Sequence, residues 1–226
     1  YTQPAIFIVS FIIGQSLIDR GLKPNALAGH SLGEYSALAI GGAFDFSTGL
    51  KLVKLRSKSM ANAGNIQKGT MAAIIGMDDK SVEQLCSSYE GSETLVTANY
   101  NAPGQVVISG GPQAIQWAMV NSKKMGARMA VELNVSGAFH SPLMASAREN
   151  LAEMINSLDI SNTKYPIYTN VDAQPVTRNQ DIKDSLIRQM ESPVRWTESI
   201  LRMKNDGIES FFEIGPGTVL RGLNKR

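Results

Sequence analysis

The run Gly29-His30-Ser31-Leu32-Gly33 constrains this chain more than any other feature. It stands between a short apolar segment, 25–29, and a helical pattern over 32–40 that stops at Gly41-Gly42. Gly-x-Ser-x-Gly in that setting is the pattern of a strand that turns sharply into a helix and lifts a serine hydroxyl above a sheet edge. The turn needs strained backbone angles, and side chains flanking the serine would collide there. It also aims the N-terminus of the following helix, and the N–H of Leu32, at a developing oxyanion. The same five letters occur by chance as a passive glycine-rich turn, so the residues that accompany Ser31 must decide.

Along the chain, helices are expected over about 4–19, with Pro4 at a first helical position and Gly21 and Pro24 closing it, then over 32–40 and from Asp45 to about 63. From residue 70 the pattern changes. Strands over 70–76, 94–99, 105–109 and 128–133 alternate with helices over 80–89 and 113–125. That β-α-β-β-α-β order predicts a ferredoxin-like lobe over 64–136, inserted into an α/β domain built from 1–63 and 137–226. The second part of that domain reads as helices over 141–157, 182–191 and 196–206 and strands over 166–170 and 209–214.

Composition narrows the function. Lys+Arg is 22 against Asp+Glu 20, a formal charge of +2, without the clustered basic face of a nucleic-acid binder. The single cysteine, Cys86, excludes an internal disulfide and fits a cytoplasmic setting, with a buried structural thiol as the default. The apolar run 5–13 is too short to span a bilayer and lacks a basic leader and a cleavage site. The chain opens at Tyr1 almost directly in a helix, so residues are expected upstream.

A serine nucleophile needs a base, and the chain holds two histidines. His30 adjoins Ser31 on the tight turn and points away from it. His140 lies where the inserted lobe ends, a plausible cleft edge, and is the candidate base. No acid stands out as a third member, so a carbonyl is a candidate for orienting the imidazole. On the helix after Asp45, Lys51, Lys54 and Lys58 share the solvated face, whereas Arg56 projects among Leu52, Val53, Met60 and Ala63. A guanidinium facing a core needs an anion in good geometry. That anion is either an internal carboxylate or the free acid of a substrate, and spacing alone leaves both open.

Gly29-His30-Ser31-Leu32-Gly33-Glu34-Tyr35 closely resembles the active-site signature of malonyl-CoA:acyl-carrier-protein transacylases and of the acyltransferase domains of fatty-acid and polyketide synthases. So do Leu55-Arg56, the run from Asn101-Ala102-Pro103-Gly104 to Ser109-Gly110, Phe139-His140-Ser141, Thr169-Asn170-Val171-Asp172 and Glu213-Ile214-Gly215-Pro216-Gly217. The matches run almost from end to end.

The resemblance implies an α/β-hydrolase-like main domain with the ferredoxin-like insert, and a ping-pong transfer of malonyl from malonyl-CoA to holo-acyl carrier protein. Ser31 is the implied nucleophile and His140 the base. The backbone carbonyl of Gln189 orients His140, Leu32 supplies an oxyanion N–H, and Arg56 clamps the malonyl carboxylate. His30 is placed beside the substrate, and Phe139 resembles the malonyl-selecting form. No bound cofactor, metal, nucleic acid or membrane is expected. The expected partners are acyl carrier protein and the coenzyme A thioester, and the expected state is a monomer in the cytoplasm. Lys183, Arg188, Arg202 and Lys204 are candidates to meet an acidic carrier protein, with ordinary solvated charge as the plainer reading. The terminal Asn224-Lys225-Arg226 resembles the discrete bacterial enzyme.

The family also has an N-terminal strand and a Gly-Gln-Gly loop whose glutamine gives a second oxyanion donor; nothing here matches it. Loss of one such donor typically costs about 2.7–4 kcal/mol in the barrier. This 226-residue chain is therefore expected to be impaired unless that segment is supplied, and a rate equal to that of a longer form contradicts this. Two other functions share the motif: a serine esterase or acyl hydrolase, and a non-catalytic carrier-binding fragment.

Overall fold

The computed structural model describes residues 2–225; Tyr1 and Arg226, the latter the end of the C-terminal motif, lie outside the described residues. The chain forms a mixed α/β fold with a small antiparallel four-stranded subdomain.

The body begins with α1 (Thr2–Asp19), β1 (Leu27–Ala28), α2 (Leu32–Gly41) and α3 (Phe46–Ile66). Asp45 caps α3 by accepting from the N–H of Thr48 at 2.7 Å. By length and apolar composition α1 could cross a membrane. Here Phe7, Ser10 and Gly14 are buried, the helix packs on α2 and α3, and the ring of Phe7 stacks on those of Phe11 and Phe46.

After the subdomain come a 3-10 turn (Pro142–Met144), α6 (Ala145–Ser157), β6 (Ile167–Tyr168), β7 (Pro175–Val176), α7 (Asn179–Arg188), α8 (Trp196–Asn205) and α9 (Val219–Asn224). β1 runs parallel to β6, and β7 closes antiparallel on β6. The core under this sheet joins Phe7, Leu38, Leu52, Leu151, Ile155, Ile167 and Leu186.

The expected strand over 209–214 does not form: among the described residues that segment has no strand neighbour. A segment with strand-like residues makes a strand only when a ladder satisfies the backbone, and here Phe211 and Phe212 stay exposed.

The subdomain runs β2 (Thr70–Ile75), α4 (Asp79–Ser87), β3 (Leu95–Ala102), β4 (Gln105–Gly110), α5 (Pro112–Lys124) and β5 (Met129–Glu132), with sheet order β3-β4-β2-β5, every neighbour antiparallel. One sheet face is covered by α4 and α5 around Ile74, Leu85, Ile108 and Ile115. The other carries Met71, Ala73, Ala98 and Val107, against which Phe139 packs. Cys86 is half-buried rather than buried, and burial pushes its thiol up to about 12. The edge strand β3 is tied back to the body: Val194 N–H donates to Ala98 O at 2.8 Å and Tyr100 N–H to Val194 O at 2.9 Å.

Candidate active site

Ser31 sits between β1 and α2 with φ 52 and ψ −103, a positive φ that costs a non-glycine residue. Two features hold it there. A Cβ on Gly29 would stand 1.9 Å from the carbonyl carbon of Gly33, so only glycine allows the close pass. The second glycine of the motif differs: a Cβ on Gly33 would meet nothing within 4 Å, so the expected collision exists on one side of the turn only. Asn170, just after β6, accepts from the Ser31 N–H at 2.6 Å and donates to Gly29 O at 2.7 Å, stitching both sides of the turn to the sheet.

His140 lies at the return from the subdomain, also with positive φ (56). Its Nε2 is 2.8 Å from Ser31 Oγ. Its Nδ1 lies 3.0 Å from Gln189 O and 3.2 Å from Ser192 O. Two carbonyls accept only from an N–H, so Nδ1 carries the proton and Nε2 presents its lone pair to the serine. Gln189 is the C-cap of α7, where carbonyls have no intrahelical donor, which leaves its oxygen for the imidazole. Burial, and then the Arg56 charge, lower the His140 pKa to about 3, so the ring is neutral at neutral pH.

Arg56, on the buried face of α3, is 1% exposed. Its Nη1 donates to Gln3 Oε1 at 2.6 Å, and its Nη2 to Ser31 Oγ at 2.8 Å and Gln189 Oε1 at 3.2 Å. The guanidinium also lies 5.3 Å from the Tyr35 ring centre. Among the described residues no carboxylate forms an ion pair with it. Among the same residues its Nε has no hydrogen-bond partner. An internal salt bridge, one of the two alternatives left open by the sequence, is therefore absent among the described residues. Burial lowers its pKa, yet the group stays a cation surrounded by neutral acceptors.

His30 points away from Ser31, with its Nε2 2.8 Å from Asn101 Oδ1 on β3, and it packs beside Trp196. Burial lowers its pKa despite the Asn101 bond. Leu32 begins α2, in the first turn whose N–H groups lack intrahelical acceptors. Phe139 packs against both the body core and the inner face of the subdomain sheet. Among the described residues no group of three His, Cys, Asp or Glu could hold a metal.

The structure also draws in Gln3, Glu34, Asn170 and the Ser192 carbonyl, none of which the sequence reading singled out as site residues. Glu34 and Asn170 stand inside quoted motifs, but their partners lie more than a hundred residues away in sequence. Of the basic residues offered for a partner, Arg188 pairs with Asp172 and Asp184, Arg202 pairs with Asp206, and Lys183 Nζ donates to Leu158 O.

The acyl transferase domain family matches residues 1–225. The malonyl CoA-acyl carrier protein transacylase of Haemophilus influenzae is 42% identical over 227 residues, covering 100% of this chain and 73% of that protein. The crystal structure of an acyl carrier protein S-malonyltransferase from Vibrio cholerae has a TM-score of 0.96 at 43% identity, covering 100% of this chain and 74% of its own. A malonyl-transacylase solved in complex with its type II PKS acyl-carrier protein superposes with a TM-score of 0.96 at 38% identity, covering 100% of this chain and 73% of its own. Matched along its full length by relatives at about 40% identity, the chain belongs to the malonyl CoA-acyl carrier protein transacylase family of acyl transferase domains.

Proposed function

We propose that this protein transfers the malonyl group of malonyl-CoA to the phosphopantetheine thiol of acyl carrier protein, through a malonyl ester on Ser31, and so supplies fatty-acid synthesis. One observation carries the reading: a buried arginine without a carboxylate partner donates to the oxygen that also faces His140 Nε2. A cation beside a nucleophile suits an acyl group that ends in a free acid, and a neutral ester gives no reason for it.

In this scheme Ser31 Oγ attacks the thioester carbonyl while its proton passes to His140 Nε2. The Nδ1–H stays on the Gln189 and Ser192 carbonyls, which stabilise the imidazolium. The Leu32 N–H, with the α2 N-terminus behind it, faces the oxyanion. Collapse breaks the C–S bond, and the coenzyme A thiolate leaves with the proton from His140. The carrier thiol then gives its proton to His140, attacks the malonyl ester and releases Ser31, which is reprotonated. Arg56 turns from Ser31 Oγ to the malonyl carboxylate in both halves. His30 and Phe139 border the acyl path.

The finer architecture belongs to the same proposal. Residues 1–63 and 137–226 form an α/β-hydrolase-like domain, and 64–136 a ferredoxin-like insert. The strand order β3-β4-β2-β5 within a βαββαβ succession supports the latter. Acyl carrier protein is the proposed partner, as in the relative solved with its carrier. With Lys183, Arg188 and Arg202 engaged internally, the docking face has to draw on other residues as well. A cytoplasmic setting accords with the unpaired Cys86.

Mass spectrometry after mixing with malonyl-CoA tests the core claim. A malonyl adduct on Ser31, absent in Ser31→Ala and discharged by holo-carrier protein, is the expected result. Release of free malonate without transfer to the carrier would show a hydrolase instead.

A further inference from the structure

Glu34 is a buried carboxylate that the scheme above does not use. It lies in the first turn of α2, 1% exposed, and has no cationic partner among the described residues. Its Oε2 accepts from Gln189 Nε2 at 2.7 Å and from the Asn170 N–H at 3.2 Å; its Oε1 accepts from Ser185 Oγ at 3.3 Å. Taking a carboxylate out of water costs several kcal/mol unless donors replace the lost solvent. Three donors meet it, and two of them belong to residues that hold the site.

The amide of Gln189 has two unlike ends. Nε2 points at Glu34 and at Ser31 O (3.1 Å), and Oε1 points at Arg56 Nη2 (3.2 Å). Reversed, the amide would set its NH2 against a guanidinium N–H, donor against donor, and its oxygen against a carboxylate, acceptor against acceptor. The same Oε2 already accepts from the Asn170 N–H, so it faces Gln189 as an acceptor and decides which way the amide lies. The amide then presents a neutral acceptor to Arg56. A carboxylate in that place would engage the guanidinium fork itself. The anion instead stands one amide away, and the arginine keeps its charge for the ligand.

We infer that Glu34 is a positioning residue that acts through the Gln189 side chain: it orients the amide that aims Arg56 at the malonyl carboxylate and braces the Ser31 backbone. This rests on the malonyl-transfer reading and names a determinant of acyl selectivity within that site. The Gln189 side chain has a role separate from that of its main-chain carbonyl.

The test compares wild type, Glu34→Ala, Glu34→Gln, Gln189→Met and the double variant Glu34→Ala/Gln189→Met. Initial rates of transfer to carrier protein are measured with malonyl-CoA and acetyl-CoA, and thermal midpoints alongside. Gln189→Met keeps the carbonyl on His140 and removes only the amide. The malonyl-to-acetyl ratio of kcat/KM should fall about tenfold in Glu34→Ala and in Gln189→Met, mostly through KM for malonyl-CoA. Glu34→Gln, which retains an acceptor, should recover much of the ratio. The double variant should be no worse than either single change, because both cut the same linkage.

Parallel loss on both thioesters with an unchanged ratio, or additive losses in the double variant, overturns the inference. Should Glu34→Ala not fold, the ratio in Gln189→Met alone decides. A wild type that forms no malonyl-Ser31 adduct defeats the functional reading itself. An adduct with unmoved ratios defeats only the role given to Glu34.

Discussion

At the scale of single residues, the site is a set of polar groups whose roles follow from who can donate to whom. Arg56 is the clearest case. Removing one partner of a buried, hydrogen-bonded charge contact costs about 2–5 kcal/mol, and each 1.4 kcal/mol is tenfold. Arg56→Ala should therefore lower kcat/KM for malonyl-CoA by roughly 30-fold or more while transfer from acetyl-CoA changes little; steady-state rates on the two thioesters check this. Asn170 is the second case. It holds the Ser31 N–H and the Gly29 carbonyl, the two sides of a turn at positive φ. In Asn170→Ala both groups lose their partner, at about 1–3 kcal/mol each when buried. The expected outcome is a lower thermal midpoint and a malonyl-Ser31 burst slowed at least tenfold, read by rapid quench.

At the scale of elements, the strand-turn-helix unit depends on one glycine more than on the other. Gly29→Ala would drive a methyl into the Gly33 backbone, which cannot move without unwinding α2. Gly33→Ala meets open space in a helix, where alanine gains about 0.4–1 kcal/mol from the unfolded chain. Denaturant titration should show Gly29→Ala strongly destabilised or unfolded, and Gly33→Ala equal to or slightly above wild type. The motif presents its two glycines as equivalent; the packing does not. The helices were legible to within a few residues, because Asp45 caps α3 and the lysines alternate with Leu52, Val53 and Met60 along it. α7 was placed too late: its end at Arg188 puts Gln189 at the cap, which frees that carbonyl for His140. The segment 209–214 carries strand-like residues and forms no strand, since pairing belongs to the neighbour as much as to the segment.

At the scale of the molecule, the body and the subdomain meet around the site, through the β3–Val194 pairing, the His30–Asn101 bond and the packing of Phe139. Two buried groups there act on stability in opposite directions. The folded pKa of His140, about 3, lies below its ordinary 6.5. The unfolded chain therefore takes up the proton first, and the stability present above pH 6.5 is lost as pH falls toward 3. Glu34 is raised from 4.5 to about 7, chiefly by burial. Its contribution is fullest below pH 4.5 and is lost as pH rises through 7. Thermal midpoints from pH 4 to 8 should show that His140→Gln loses less stability than wild type on acidification. Glu34→Gln should lose less than wild type from pH 4.5 to 7.

The sequence by itself determined most of the elements, the candidate nucleophile and base, and the oddity of Arg56, because helix periodicity, glycine spacing and a count of two histidines are local facts. It carried the succession of elements over 70–133 for the same reason. Only the tertiary structure decided that Arg56 has no carboxylate partner among the described residues, that Asn170 locks the turn, and that Glu34 reaches the site through Gln189. Each of those rests on hydrogen bonds between residues that are distant in sequence, and their direction is set by packing that no local pattern records.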